Sequence, residues 1–176
     1  MTGVAGPGKG VTVHAVVTAR DLGAAEGLFR EYAAGLPESA QVSLAHQGFE
    51  GEMSSLPGKY AGPAGCILLA RLHGTAVGVV ALRPLDLSGV RAGDPTPICE
   101  MKRMYVKPSA RGLGAGRALA AALIDYARAA GYRMMKLDTE PDFSAAIAVY
   151  RSLGFSEVPR YNDDPVSCTL WMGLRL

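Results

Sequence analysis

Cysteine is scarce and scattered: three in 176 residues, Cys66, Cys99 and Cys168, with no C-x-x-C pair. An odd, dispersed set builds neither a disulfide framework nor a zinc knuckle, and it fits a reducing, cytoplasmic setting. The three histidines, His14, His46 and His73, are as dispersed and lack ligand spacing, so no metal is expected. No apolar stretch approaches the roughly eighteen residues of a membrane-spanning helix. The first residues also lack the charged and apolar regions of a signal peptide. Nor does one sign of charge dominate: 18 Lys plus Arg stand against 16 Asp plus Glu, with no long basic run. That balance argues against nucleic acid as a partner. A cytoplasmic protein acting on something other than nucleic acid, lipid or metal is the expectation.

What is present is an alternation of apolar strands and amphipathic helices. Residues 1–9 are Gly-rich and read as a disordered tail, with a single domain over 10–176. Val11 to Val17 alternates as a strand; Asp21 looks like a helix cap, with Leu22, Leu28, Phe29 and Tyr32 at helical spacing. A second helix is read over 38–53. Two apolar runs, Cys66–Leu72 and Ala76–Leu82, meet at His73-Gly74 as a hairpin. A Pro- and Asp-bearing loop over 84–97 leads to a strand from Cys99 to Val106, in which Glu100 and Lys102 should face one way and Arg103 the other. Helices are read over about 112–130 and 143–153, with short strands at 134–138, 155–158 and 167–174. The order is mixed α/β, with seven strands and four helices.

The stretch that organises the rest is Arg111-Gly112-Leu113-Gly114-Ala115-Gly116-Arg117, between the Cys99–Val106 strand and an Ala/Leu-rich helix. A helix N-terminus carries unpaired amides and partial positive charge. Glycines there let an anion approach the backbone, and guanidinium groups add reach to phosphate. This is the chemistry of a pyrophosphate cradle. It is not a dinucleotide fingerprint, because Arg117 stands where the third glycine must be. It is not a P-loop, because it lacks the lysine and hydroxyl.

The spacing that remains, Arg111-x-x-Gly114-x-Gly116, resembles the acyl-CoA-binding motif of the GNAT superfamily of N-acyltransferases. A second family-like segment, Ala146-Ile147-Ala148-Val149-Tyr150-Arg151-Ser152-Leu153-Gly154-Phe155, follows about thirty residues on. The resemblance implies a single-domain GNAT-like α/β fold: a mixed, mostly antiparallel central sheet of about seven strands, with about four helices on both faces. It implies acetyl-CoA as cosubstrate, held by Arg111 to Arg117 and, along the pantetheine arm, by Met104, Tyr105 and Val106. Where many members carry an asparagine seven residues before the tyrosine, this chain has Phe143.

The reaction so implied moves an acetyl group from a thioester to a primary amine. An alkylammonium titrates near pH ~10, so a proton must leave before nitrogen attacks. Glu100, eleven residues before Arg111, is the expected proton acceptor; an ion pair with Lys102 or Arg103 is the structural alternative. Tyr150 is the expected proton donor to the leaving thiolate, with Tyr161 as the alternative. Both readings leave Tyr150 room to serve as a core aromatic. Acids at Glu50, Glu52, Asp86, Asp94, Asp163 and Asp164 tilt the acceptor side toward a cationic amine, small molecule or peptide. A homodimer is left open. The rival reading is a non-catalytic acyl-CoA-binding or regulatory domain, which would not depend on Glu100 or Tyr150.

Overall fold

A computed structural model describes residues 4–5, 10–85, 97–165 and 169–176. The sheet has eight strands: β1 (Val4–Ala5), β2 (Val11–Ala15), β3 (Cys66–Leu72), β4 (Thr75–Pro84), β5 (Ile98–Val106), β6 (Met134–Thr139), β7 (Ser156–Glu157) and β8 (Leu170–Arg175). They lie in the order β1-β2-β3-β4-β5-β6-β8-β7, and only β5 and β6 run parallel. The mostly antiparallel mixed sheet is the expected one. It gains an eighth strand because Val4 and Ala5, read from sequence as part of the tail, pair with Val13 and Thr12. The rest of the 1–9 reading, most of the 84–97 loop with Asp86 and Asp94, and Cys168 lie outside the described residues.

Five α-helices cover the two faces: α1 (Ala19–Ala34), α2 (Glu38–His46), α3 (Phe49–Ser54), α4 (Ala115–Ala129) and α5 (Ser144–Ser152). The cap of α1 is Thr18, not Asp21. Thr18 Oγ1 accepts from the Asp21 amide at 3.1 Å and donates to Asp21 Oδ2 at 2.8 Å, a reciprocal pair that needs the acid three residues inside the helix. The helix read over 38–53 is two helices, because Gly48 sits at φ 72° and breaks the hydrogen-bond ladder. The hairpin turns at His73 (φ 49°) and Gly74 (φ 81°), the left-handed pair that matches the twist of its strands.

Two apolar layers sandwich the sheet. On one face α4 buries Ala115, Leu119, Ala120, Leu123, Ile124 and Ala127, a single stripe at helical spacing, against Leu68, Val80, Leu82 and Met101. Each fully buried leucine there contributes roughly 1.5–3 kcal/mol. On the other face α1, α2 and α3 pack Leu28, Phe29, Leu44, Phe49 and Met53 against Leu69, Val79 and Ala81. No helix among the described residues is long and apolar enough to cross a membrane.

Strand β5 departs from simple alternation. Ala81 pairs with Lys102 and Val79 with Tyr105, so Arg103 and Met104 together oppose Val80. This bulge carries φ 58° at Arg103. It turns Arg103 toward the helix-α3 face, where it meets Glu52, instead of opposite Lys102 as alternation predicts. A left-handed non-glycine costs about 1–2 kcal/mol and persists only where its surroundings hold it.

Candidate functional site

Parallel pairing of β5 with β6 lasts three residues, Ile98↔Met134, Cys99↔Met135 and Glu100↔Lys136. Beyond them the strands continue without pairing to each other, and a cleft partly open to solvent fills the gap. Residues 101–104 of β5 and 137–140 at the end of β6 form its walls, with Tyr32, Gln47, Phe143 and Tyr150 contributed by helices α1 and α2 and by the start and body of α5. From Met101 onward the β5 edge toward β6 offers backbone groups with no strand partner. Met104 lines the cleft, Tyr105 packs its ring 6.3 Å from that of Tyr32, and Val106 faces the α4 layer.

The glycine loop follows β5, whose residues 101–104 wall the cleft, though no residue of the loop itself lines it. A short 3-10 turn, Pro108–Ala110, follows β5, and Gly112 (φ 76°) and Gly114 (φ 83°) then curl the chain into α4. Helix α4 therefore starts at Ala115, later than the 112 read from periodicity, because both glycines occupy the left-handed region. Its N-cap is Gly114, and no side chain caps it. The first amides of Ala115, Gly116 and Arg117 consequently point out of the helix with no intrahelical acceptor. Arg111 Nε donates to the Val106 carbonyl at 3.2 Å, which lays its exposed side chain along the end of β5. Leu113 is exposed at the loop tip. Arg117 reaches Ser152 at the end of α5 instead of lying across the loop. Uncapped amides, side-chain-free glycines and one adjacent guanidinium fit a diphosphate.

Tyr150 lies on α5, is buried, and packs its ring 5.8 Å from Phe155. Its hydroxyl makes no hydrogen bond to the described residues while the residue lines the cleft. Burial raises its pKa above the usual tyrosine value. A buried phenol kept protonated in a cleft can donate a proton.

Glu100 is placed differently from its sequence reading. It is 1 % exposed, and it is not among the residues lining the cleft. Arg83 Nε donates to its Oε2 at 2.7 Å, and Tyr161 donates its hydroxyl proton to Oε1 at 2.9 Å. Lys102 Nζ lies 3.7 Å from the same Oε1. The ion pair foreseen with Lys102 is thus present but secondary; the main partner is Arg83, a residue that sequence reasoning missed. Tyr161 sits on Glu100 and under Lys136, whose Nζ is 4.9 Å from its ring centroid. Burial and the Glu100 carboxylate push its pKa far up.

Lys102 and Asp138 are among the polar residues that do line the cleft. Lys102 Nζ donates to Asp138 Oδ1 at 2.7 Å, and both side chains are more than nine-tenths buried. Burial would raise the Asp138 carboxyl, but the Lys102 ammonium holds it below the usual carboxylate range. The signal for Asp138 was in the sequence: Lys136 and Asp138 alternate with the buried Met135 and Leu137, so one face of β6 is charged. Below this pair, Arg103 grips Glu52 through two bonds of 2.9 Å and donates to Gln47 at 3.0 Å.

The other acids read as an acceptor-side tilt are mostly engaged. Glu52 is bound by Arg103, Lys59 and Tyr60; Asp164 is buried against Ser43 and Gln47; Glu50 meets Arg30 on the surface, and Asp163 meets His46. Cys66 and Cys99 are buried, and burial pushes both thiols up to about 12, so neither is a nucleophile.

The sequence profile of the acetyltransferase (GNAT) family matches residues 25–155. An uncharacterised N-acetyltransferase of Schizosaccharomyces pombe is 34% identical over 167 residues, 94% of this chain and 95% of that protein. Among solved structures, an acetyltransferase from Streptococcus agalactiae superposes with a TM-score of 0.69 at 18% identity, over 96% of this chain and 99% of that one. The Salmonella typhimurium protein yncA, solved with its cofactor acetyl-CoA, gives 0.62 at 19% identity over 94% of both chains. At those identities the two structures establish the shared fold.

Proposed function

The chain belongs to the acetyltransferase (GNAT) family, and from that premise we propose that it transfers the acetyl group of acetyl-CoA to a primary amine bound in the β5–β6 cleft. The observation that carries this reading is the uncapped, glycine-lined start of α4, reached from the same β5 strand whose residues 101–104 wall a cleft with a buried, proton-bearing tyrosine. When bound, acetyl-CoA supplies an activated thioester. The amides of Ala115 to Arg117, the glycines around Leu113, and Arg111 hold its diphosphate; the unpaired β5 edge at Met104 to Val106 holds its pantetheine arm. Tyr150 donates a proton to the departing thiolate. The ammonium of the acceptor gives up its proton to the polar layer between β5 and β6, to which Glu100 belongs. Glu100 reaches the cleft wall through Lys102.

A small-molecule amine or a peptide N-terminus both suit a cleft walled by Asp138 and Glu140 as well as by Lys102 and Arg103. The experiment is free-thiol release from acetyl-CoA over a panel of alkylamines, diamines, amino acids and short peptides. Saturable release with at least one amine supports the reading. Calorimetric binding of coenzyme A with no thiol release from any amine supports a non-catalytic acyl-CoA-binding domain instead.

A further inference from the structure

The acetyl-transfer reading leaves unstated which carboxylate oxygen touches the acceptor, and the inference below rests on that reading. Asp138, Glu140 and Asp164 line the cleft, Asp164 bound by Ser43 and Gln47, and Asp138 differs from Glu100 in position and in occupancy. Glu100 lies outside the cleft wall, with Oε2 taken by Arg83 and Oε1 by Tyr161 and Lys102. A carboxylate with every oxygen committed to buried donors is a structural anchor. Asp138 lines the cleft; Lys102 donates to its Oδ1 at 2.7 Å, a backbone amide of its own residue also bonds the carboxylate, and the side-chain contact to Oδ2 among the described residues is a long one of 3.5 Å from Asn162. We propose that Asp138 is the catalytic proton acceptor, its Oδ2 receiving the ammonium proton, and that Glu100 is a positioning residue that fixes Lys102 behind it.

The groups around Asp138 suit the task. Lys102 and Arg103 face it from β5, Tyr32 from α1, Tyr150 from α5, Tyr161 from the loop before β8, and Glu140 leaves the end of its own strand. The charges along the layer alternate, Arg83, Glu100, Lys102, Asp138, so an incoming ammonium extends the series with the next positive charge. The protons balance as follows. One proton leaves the ammonium for Asp138 Oδ2, the neutral nitrogen bonds to the thioester carbon, and the C–S bond breaks. Sulfur takes the Tyr150 proton to become a thiol. The second nitrogen proton restores Tyr150, and Asp138 releases its proton to water.

The test compares Asp138→Asn, Glu100→Gln and Glu140→Gln, with the best amine of the panel and with aniline, which is already neutral at pH 7. Asp138→Asn should lower kcat about 100-fold or more with the alkylamine at pH 7, with KM for acetyl-CoA unchanged. That loss should shrink about tenfold per pH unit toward the amine's own pKa, and the loss with aniline should be small. Glu100→Gln should lower turnover without changing the shape of the pH profile. Should Asp138→Asn fail to fold because Lys102 is stranded, the double variant Lys102→Gln, Asp138→Asn removes the unpaired charge and must give the same profile. Full turnover in either folded Asp138 variant overturns the assignment, as does a high-pH rescue in Glu100→Gln or Glu140→Gln instead. Thiol release absent with every amine in the unaltered chain sinks the acetyl-transfer reading itself, and this assignment with it.

Discussion

Arg103 and Glu52, 51 positions apart in sequence, face each other through two parallel 2.9 Å hydrogen bonds beneath the cleft. The arginine stands at φ 58° in the bulge that lets β5 part from β6, and the glutamate belongs to α3. Phe49 lies 5.5 Å under the guanidinium, and Tyr60 donates to the same carboxylate at 2.7 Å. A planar fork on a carboxylate is the geometry that holds a strained backbone in place. The bulge in the cleft wall is therefore tied to α3.

Glu52→Ala strands a buried guanidinium at a strained residue. It should destabilise the fold by about 3–5 kcal/mol, read as a lowered urea midpoint. Rescue by Glu52→Asp should be partial, because the shorter chain reaches only part of the fork. A midpoint within error of the unaltered chain would show that the bulge holds itself.

Acid should act through the same carboxylate. Burial works against its charged form, but Arg103, Lys59 and Tyr60 reverse that and bring Glu52 down to about 2. With a folded pKa below the unfolded value of 4.5, its contribution is complete above pH 4.5 and is lost as pH falls toward 2. The integrated loss is on the order of 3 kcal/mol. Denaturation midpoints at pH 7 and pH 3 should differ less in Glu52→Gln than in the unaltered chain; an equal difference would assign the acid sensitivity elsewhere.

The proposed diphosphate cradle separates charge from backbone shape. Arg111→Ala should weaken coenzyme A binding about tenfold, with little change in thermal stability, since its only hydrogen bond among the described residues is one to Val106. Gly114→Ala forces a left-handed alanine at φ 83° and should lower both binding and stability, the latter by about 1–2 kcal/mol. Calorimetric titration with coenzyme A reads both, and unchanged affinity in the two variants would remove the loop from the site.

Tyr150→Phe keeps the ring against Phe155 and removes only the hydroxyl. Turnover should fall by about 10²–10⁴ while coenzyme A affinity and melting temperature stay near those of the unaltered chain. A stability loss of the same proportion as the activity loss would make Tyr150 a packing residue alone.

Local signals carried the parts of the molecule that depend on a few neighbours. The stripe Leu119, Leu123, Ile124 announces α4, His73-Gly74 announces the hairpin, and the glycines of Arg111 to Gly116 announce the left-handed turn into α4. Even there, boundaries shifted where the side-chain partner was short-range but unread, as at Thr18 and Asp21, or where a left-handed glycine cut a helix, as at Gly48.

The amino-acid order by itself thus determined most strands and helices, the family and the glycine loop proposed to take phosphate, because periodicity and glycine spacing act within a turn or two of chain. Tertiary structure alone decided which charges meet. Arg83 reaches Glu100 across seventeen positions, Lys102 reaches Asp138 across thirty-six, and the bulge at Arg103 exists only against the register of β4. A buried charge takes whatever partner the packed strands bring within about 3 Å, and that distance is a property of the folded sheet, not of the chain.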